Sequence, residues 1–150
     1  MRGVEVSFVV AVSVTLVTMI IGIIVGLFAG FYGGIVDQVL MQITDIFLAF
    51  PGVLLAIAFA AVLGPGITNL VIALCVVGWV SYARLARGQT LSLRNRQHVH
   101  AAESLGASVP RILFKHILPL LGSILIVEAT YSLASVMIAE ASLSFLGLGI

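Results

Sequence analysis

Charge is what this sequence has least of. Only 9% of its 150 residues are Asp, Glu, Lys or Arg, while 61% are hydrophobic. Soluble domains carry about 25% charged residues. With a mean hydropathy of +1.27 the chain has little surface to show to water, and membrane lipid is its natural solvent. The net charge of +1 and the absence of basic runs interleaved with stacking aromatics speak against nucleic acid as a partner. The single cysteine, Cys75, rules out an internal disulfide, and no Cys/His spacing for a metal site occurs. Cys75 lies in an apolar run and reads as packing. A phosphate-cradling G-x-x-x-x-G-K-[ST] loop is also missing, so the chain carries no such nucleotide site of its own. Nor does the N-terminus read as a signal peptide. No charge falls between Glu5 and Asp37, far longer than a signal's apolar core of about 7–15 residues.

What is present is a succession of apolar runs, each near the roughly 20 residues that cross a bilayer core. The expected spans are 7–31, 39–63, 68–87 and 111–139. The fold class is therefore all-α, a polytopic transmembrane helical bundle. The first run holds Gly22, Gly26 and Gly30, spaced four apart on one helix face. Glycine there lets another backbone approach, and packing within the chain is preferred over a dimerisation motif. Tyr32-Gly33-Gly34 breaks that helix, Pro51-Gly52 should kink the second span, and Gly64-Pro65-Gly66 forces a reversal. Trp79 and Tyr82 suit an interfacial aromatic belt. The tail from Glu140 to Ile150 reads as an interfacial segment.

The scarce basic residues are not scattered. Six of the seven Lys and Arg lie between Arg84 and Lys115. Basic loops are retained on the cytoplasmic side. The loop at about 88–110 is therefore expected inside, which puts the N-terminus outside, the 32–38 turn inside, the 64–66 turn outside and the C-terminus outside; Arg2 alone argues the other way. A chain that starts outside is expected to be a fragment lacking at least one preceding span.

Within the loop a short helix is expected from about 96 to 105, stopped by Gly106. Ser108 and Pro110 suit the start of the next helix. Ala101 and Ala102 are small and adjacent, as a helix lying in a partner's groove requires. Spacing alone equally allows an ordinary interfacial amphipathic helix.

The stretch resembles the cytoplasmic loop of ABC-importer permeases. That loop reads Glu-Ala-Ala, three residues, Gly, nine residues, Ile, one residue, Leu-Pro. Ala101, Ala102, Gly106, Leu118 and Pro119 match at the same spacing, while His100 stands for the Glu and His116 for the Ile. Tyr82–Gln89, Ser104–Ser108, Lys115–Pro119 and Ala139–Gly149 are similar to the C-type subunit of dipeptide, oligopeptide and nickel permeases; so are Gly30–Gly34 and Asp45–Pro51. The resemblance implies a type I importer permease fold with six spans, of which four, the second to the fifth, are present. It implies a bacterial or archaeal cytoplasmic (inner) membrane protein that is not itself an enzyme. Its partners would be two cytoplasmic ATPases, a second permease subunit in a heterodimer, and an extracytoplasmic solute-binding protein. No cofactor is expected on this chain, ATP and Mg belonging to the ATPases. The 96–106 helix would couple to them through His100, Ala101, Ala102, Glu103 and Gly106, with Leu118 and Pro119 completing the motif. Glu103 is the substitute for the charge that His100 removes.

Glu128 would sit about 25 Å along a straight helix from Arg111, deep in the bilayer. It either lines the pathway or holds polar groups such as Thr130 and Tyr131 within the bundle. Asp45 is expected to be a helix-N-terminal charge, Glu140 a solvated one, and His98, His100 and His116 are not expected to bind metal. Outside the importer reading stand a non-transporting membrane anchor and a proton-coupled carrier using Glu128.

Overall fold

The computed structural model describes residues 2–147; Leu148, Gly149 and Ile150, the last of the tail, lie outside them. Helix α1 spans Arg2–Tyr32, α2 Gly34–Leu48, α3 Gly52–Leu63, α4 Ile67–Leu93 and α5 Gln97–Ser104. The chain then re-enters a helical path through α6, Val109–Arg111, a π-helical turn at Ile112–Ile117 and a 3-10 turn at Leu118–Leu121. It ends in α7, Gly122–Phe145. Among the described residues three stretches are long and apolar enough to cross a membrane by themselves: Val4–Tyr32, Ile67–Leu93 and Val109–Phe145.

The helix expected at 39–63 is two helices. Pro51 has no N–H to donate, and the residue before a proline is driven out of the α region. Pro51 itself is extended, with φ −57° and ψ 129°. The expected kink is therefore a full break, leaving 15 residues in α2 and 12 in α3, neither enough to span alone. The span expected at 68–87 is α4, which runs past Arg87 to Leu93 and takes in residues 88–93 of the expected loop. No proline interrupts it there, and the Thr90 hydroxyl donates back to the Ala86 carbonyl at 2.7 Å. The fourth path starts at Val109 and runs to Phe145, so 140–145 continues a helix and is no separate interfacial segment.

α1 lies on α4 along its glycine face. A methyl group added at Gly22 would press on Tyr82, one at Gly26 on Ala83 and Ala86, and one at Gly30 on Arg87 and Thr90. Partner numbers rise together, so α1 and α4 run parallel, and the chain between them must return. The route of return is α2 and α3 in sequence. Asp37 meets Arg87, Phe47 packs on Trp79, and Gly52 faces Val77, with numbers now falling along α4. α7 runs against α1, joined near their ends by Ser7 and Glu140.

Two buried clusters result. One holds Val10, Val14, Ala56, Ala60, Leu70, Leu74 and Leu143. The other, at the basic end, holds Leu27, Tyr82, Leu93, Val99, Ala102, Leu113, Ile117 and Leu121. Tyr82 is wholly buried there and does not stand in an aromatic belt. Many large apolar residues elsewhere face outward, Val62 and Ile126 among them, as lipid or partner helices allow.

Candidate functional site

The candidate site lies at the basic end of the bundle. α5 leaves α4 after Asn95 and stops hard at Gly106. There the Gly106 N–H donates to the Glu103 carbonyl and the Ala107 N–H to the Ala102 carbonyl, both at 3.0 Å. Those two bonds are the Schellman stop, and it needs a left-handed residue. Gly106 supplies it with φ +81°. Ser108 then turns extended and Pro110 opens α6.

α5 presents two faces. Val99 and Ala102 point down into the basic-end core beside Leu93, Ile112 and Ile117. His98, His100, Ala101, Glu103 and Leu105 point away from it, and Leu105 is 89% exposed. The two alanines of the motif thus part company. Ala102 seats the helix on its own membrane domain, and Ala101 alone remains on the outer side. Between α5 and the start of the next helix lies a groove of about 480 Å³, lined by His98, Ala101, Leu105, Gly106, Arg111 and His116 among others. Leu118 and Pro119 are not part of it. They sit where the π turn becomes 3-10, the Leu118 N–H reaching back to the Leu113 carbonyl. Their role in the fold is to redirect the chain from the loop into α7.

His100 Nδ1 and Glu103 Oε2 lie 3.6 Å apart on the exposed face. Among the described residues no group of three His, Cys, Asp or Glu side chains could hold a metal ion.

Three arginines tie this end together, and only their positions, not their partners, were readable beforehand. Arg87 forms a two-pronged pair with Asp37, Nη2 to Oδ2 at 2.8 Å. Arg94 Nη1 donates to the Gly30 and Phe31 carbonyls at 3.0 and 3.3 Å, closing the C-terminus of α1 where a cation is favoured. Arg84 pairs with Asp45. Asp45 is thus no N-terminal charge; it lies in the last turn of α2 and answers an arginine across the helix interface. The available signal was two acids in one apolar helix and arginines three apart in another. Bare charges at membrane depth call for partners.

Glu128 is half-buried in α7 and borders a cavity of about 370 Å³ with Leu85, Ser123, Ile124 and Val127. Glu140 is not solvated: it is 3% exposed and accepts hydrogen bonds from Ser7 at 2.8 Å and Ser144 at 2.9 Å.

Residues 22–150 match the family described as binding-protein-dependent transport system inner membrane components. The chain belongs to that family. Its members are helical permease components of the inner membrane, and this chain carries several helices able to cross one. It is 48% identical over 113 residues to the glutathione transport system permease protein GsiD of Salmonella typhimurium, covering 75% of this chain and 37% of that one. The proteins of that name from Escherichia coli and Shigella boydii match to the same extent. The chain therefore spans little more than a third of the length of these relatives.

Proposed function

We propose that this permease chain forms part of the translocation pathway of an ABC importer and receives the stroke of cytoplasmic ATPases through α5. The supporting observation is the seating of α5. Its inner face is continuous with the core that joins α1, α4 and the 109–121 run, and its outer face and adjoining groove are uncovered. A helix so held cannot be displaced without moving the spans. ATP and Mg belong to the ATPases, and no cofactor is assigned to this chain. In this reading the basic end faces the cytoplasm, as the clustering of Lys and Arg requires. A second permease subunit, here a different chain, completes the pathway, and an extracytoplasmic binding protein delivers the solute. The relatives' name points to small peptides such as glutathione as cargo, within a wider class of peptides, related small solutes and nickel.

Gly106→Val tests the coupling. An added Cβ meets nothing within 4 Å at Gly106, so the cost is the left-handed backbone alone, about 1–2 kcal/mol. The stop should loosen and α5 tilt. In the reconstituted importer, uptake per ATP hydrolysed should fall severalfold while the chain stays in the membrane. Unchanged uptake per ATP would remove α5 as the transmission element. Uptake that persists with a hydrolysis-dead ATPase would instead favour the proton-coupled carrier, and no uptake under any condition the membrane anchor.

A further inference from the structure

Glu128 is an ionisable side chain of α7 that neither the loop nor the helix pairings use. It lies in α7 at the level of Tyr82, well inside the bundle's apolar span. Among the described residues no Lys, Arg or His is paired with it. A bare carboxylate at membrane depth is costly and is kept where it meets a wet cavity or a cationic partner. Beside it is an open space of about 370 Å³ between α4 and α7, within the roughly 300–1,000 Å³ of ligand pockets.

A second polar group lies within electrostatic reach of Glu128. Tyr82 is wholly buried, and its hydroxyl makes no regular hydrogen bond. The polar groups that act on it are Ser132 and Glu128, both on α7. Buried hydroxyls are seldom left unmade. Glu128 thus borders the cavity while acting on a buried hydroxyl of α4.

The walls narrow the choice of ligand. Leu85, Ile124 and Val127 are aliphatic, and Ser123 is neutral. One carboxylate cannot supply the six to eight oxygens a calcium ion takes, or an octahedral set for magnesium. A single negative charge in an otherwise apolar wall matches a single positive charge on a small, partly apolar body.

We propose, resting on the importer reading above, that Glu128 recognises the protonated primary amino group of the solute during passage. The favoured class is the short peptide or peptide-like zwitterion with a free amino end. The ammonium's three N–H donors meet the carboxylate, and the aliphatic walls take the neighbouring side chain.

The test uses the complete importer in proteoliposomes, with its ATPases, second permease and binding protein. The probes are glycylglycine, alanylalanine and glutathione, each with a free amino group, against their N-acetylated forms. The binding protein is the same throughout, so a change in the ratio of free-amine to N-acetyl uptake reports the permease. Glu128→Gln should lower that ratio about tenfold, the scale of losing a hydrogen bond to a charged group. Glu128→Asp keeps the charge but withdraws it by one methylene and should lower it less than Glu128→Gln does. A wild-type ratio in either variant that reaches the membrane overturns the proposal, as does an equal loss for both forms of each solute. Wild-type vesicles with no ATP-dependent uptake of any probe would overturn the importer reading, and this assignment with it.

Discussion

At the residue scale the bundle depends on what glycine omits. Gly26 faces Ala83 and Ala86 so closely that an added Cβ would lie 2.6 Å from that of Ala86. The obstacle includes backbone, so no rotamer relieves it. Gly26→Leu should separate α1 from α4 and destabilise the chain by about 1–3 kcal/mol. Gly88→Ala, which meets open space, should be neutral or slightly stabilising. Thermal unfolding of the detergent-solubilised protein distinguishes them; equal midpoints would mean the seam is looser than it stands. Asp37 makes a second residue-scale statement. It pairs with Arg87 across the α2–α4 interface, and Asp37→Ala, which leaves that guanidinium without its carboxylate, should lower stability by about 1–3 kcal/mol. An unchanged melting midpoint would show that the pair contributes nothing.

At the element scale, composition revealed the number of apolar runs but not their internal breaks. The glycine ladder and the stop at Gly106 were legible because each rests on a local rule: one helix face, one backbone angle. The break at Pro51 was half legible. A proline says that a hydrogen bond is lost, not whether neighbouring helices hold the two halves in line. Misreadings fell on residues whose surroundings come from distant sequence. Tyr82 looked interfacial from its place near a helix end, yet it is enclosed by residues about 60 positions away on α1 and about 40 on α7. Glu140 looked solvated for the same reason and proves to be the acceptor for Ser7 across 133 positions. Removing that acceptor has a definite cost. Glu140→Ala should lower stability by about 1–3 kcal/mol by leaving polar groups unmatched between α1 and α7. Glu140→Gln, which keeps an acceptor oxygen, should cost less. Melting midpoints in the reverse order would refute the clasp.

Over the whole molecule, the parallel course of α1 and α4 decides the topology. With α2 and α3 returning between them, the 64–66 turn and α5 must lie on opposite faces. In a Cys75→Ser background, Thr68→Cys should react with an impermeant maleimide from the outer face of spheroplasts. Leu105→Cys should react only after the inner face is opened. Labelling of both from one side would disprove the return crossing. Charge alone assigns the inner face, because basic residues report which face a loop occupies; it could not report that one crossing is made of two short helices.

That parallel pairing also sets a timetable for synthesis. The seam on α1 and its partner stretch on α4 are about 60 positions apart, as Gly22 and Tyr82 show. At roughly 5–20 residues per second, translation leaves α1 without its mate for several seconds. During that interval its glycine groove is open to lipid, to other nascent helices, or to quality-control proteases. Ribosomes stalled before Ile67 should therefore yield short-lived chains, and those stalled beyond Leu93, with α4 complete, should persist. The α1–α4 interface thus cannot close until α4 has been made, and the window of vulnerability is written into the order of the helices.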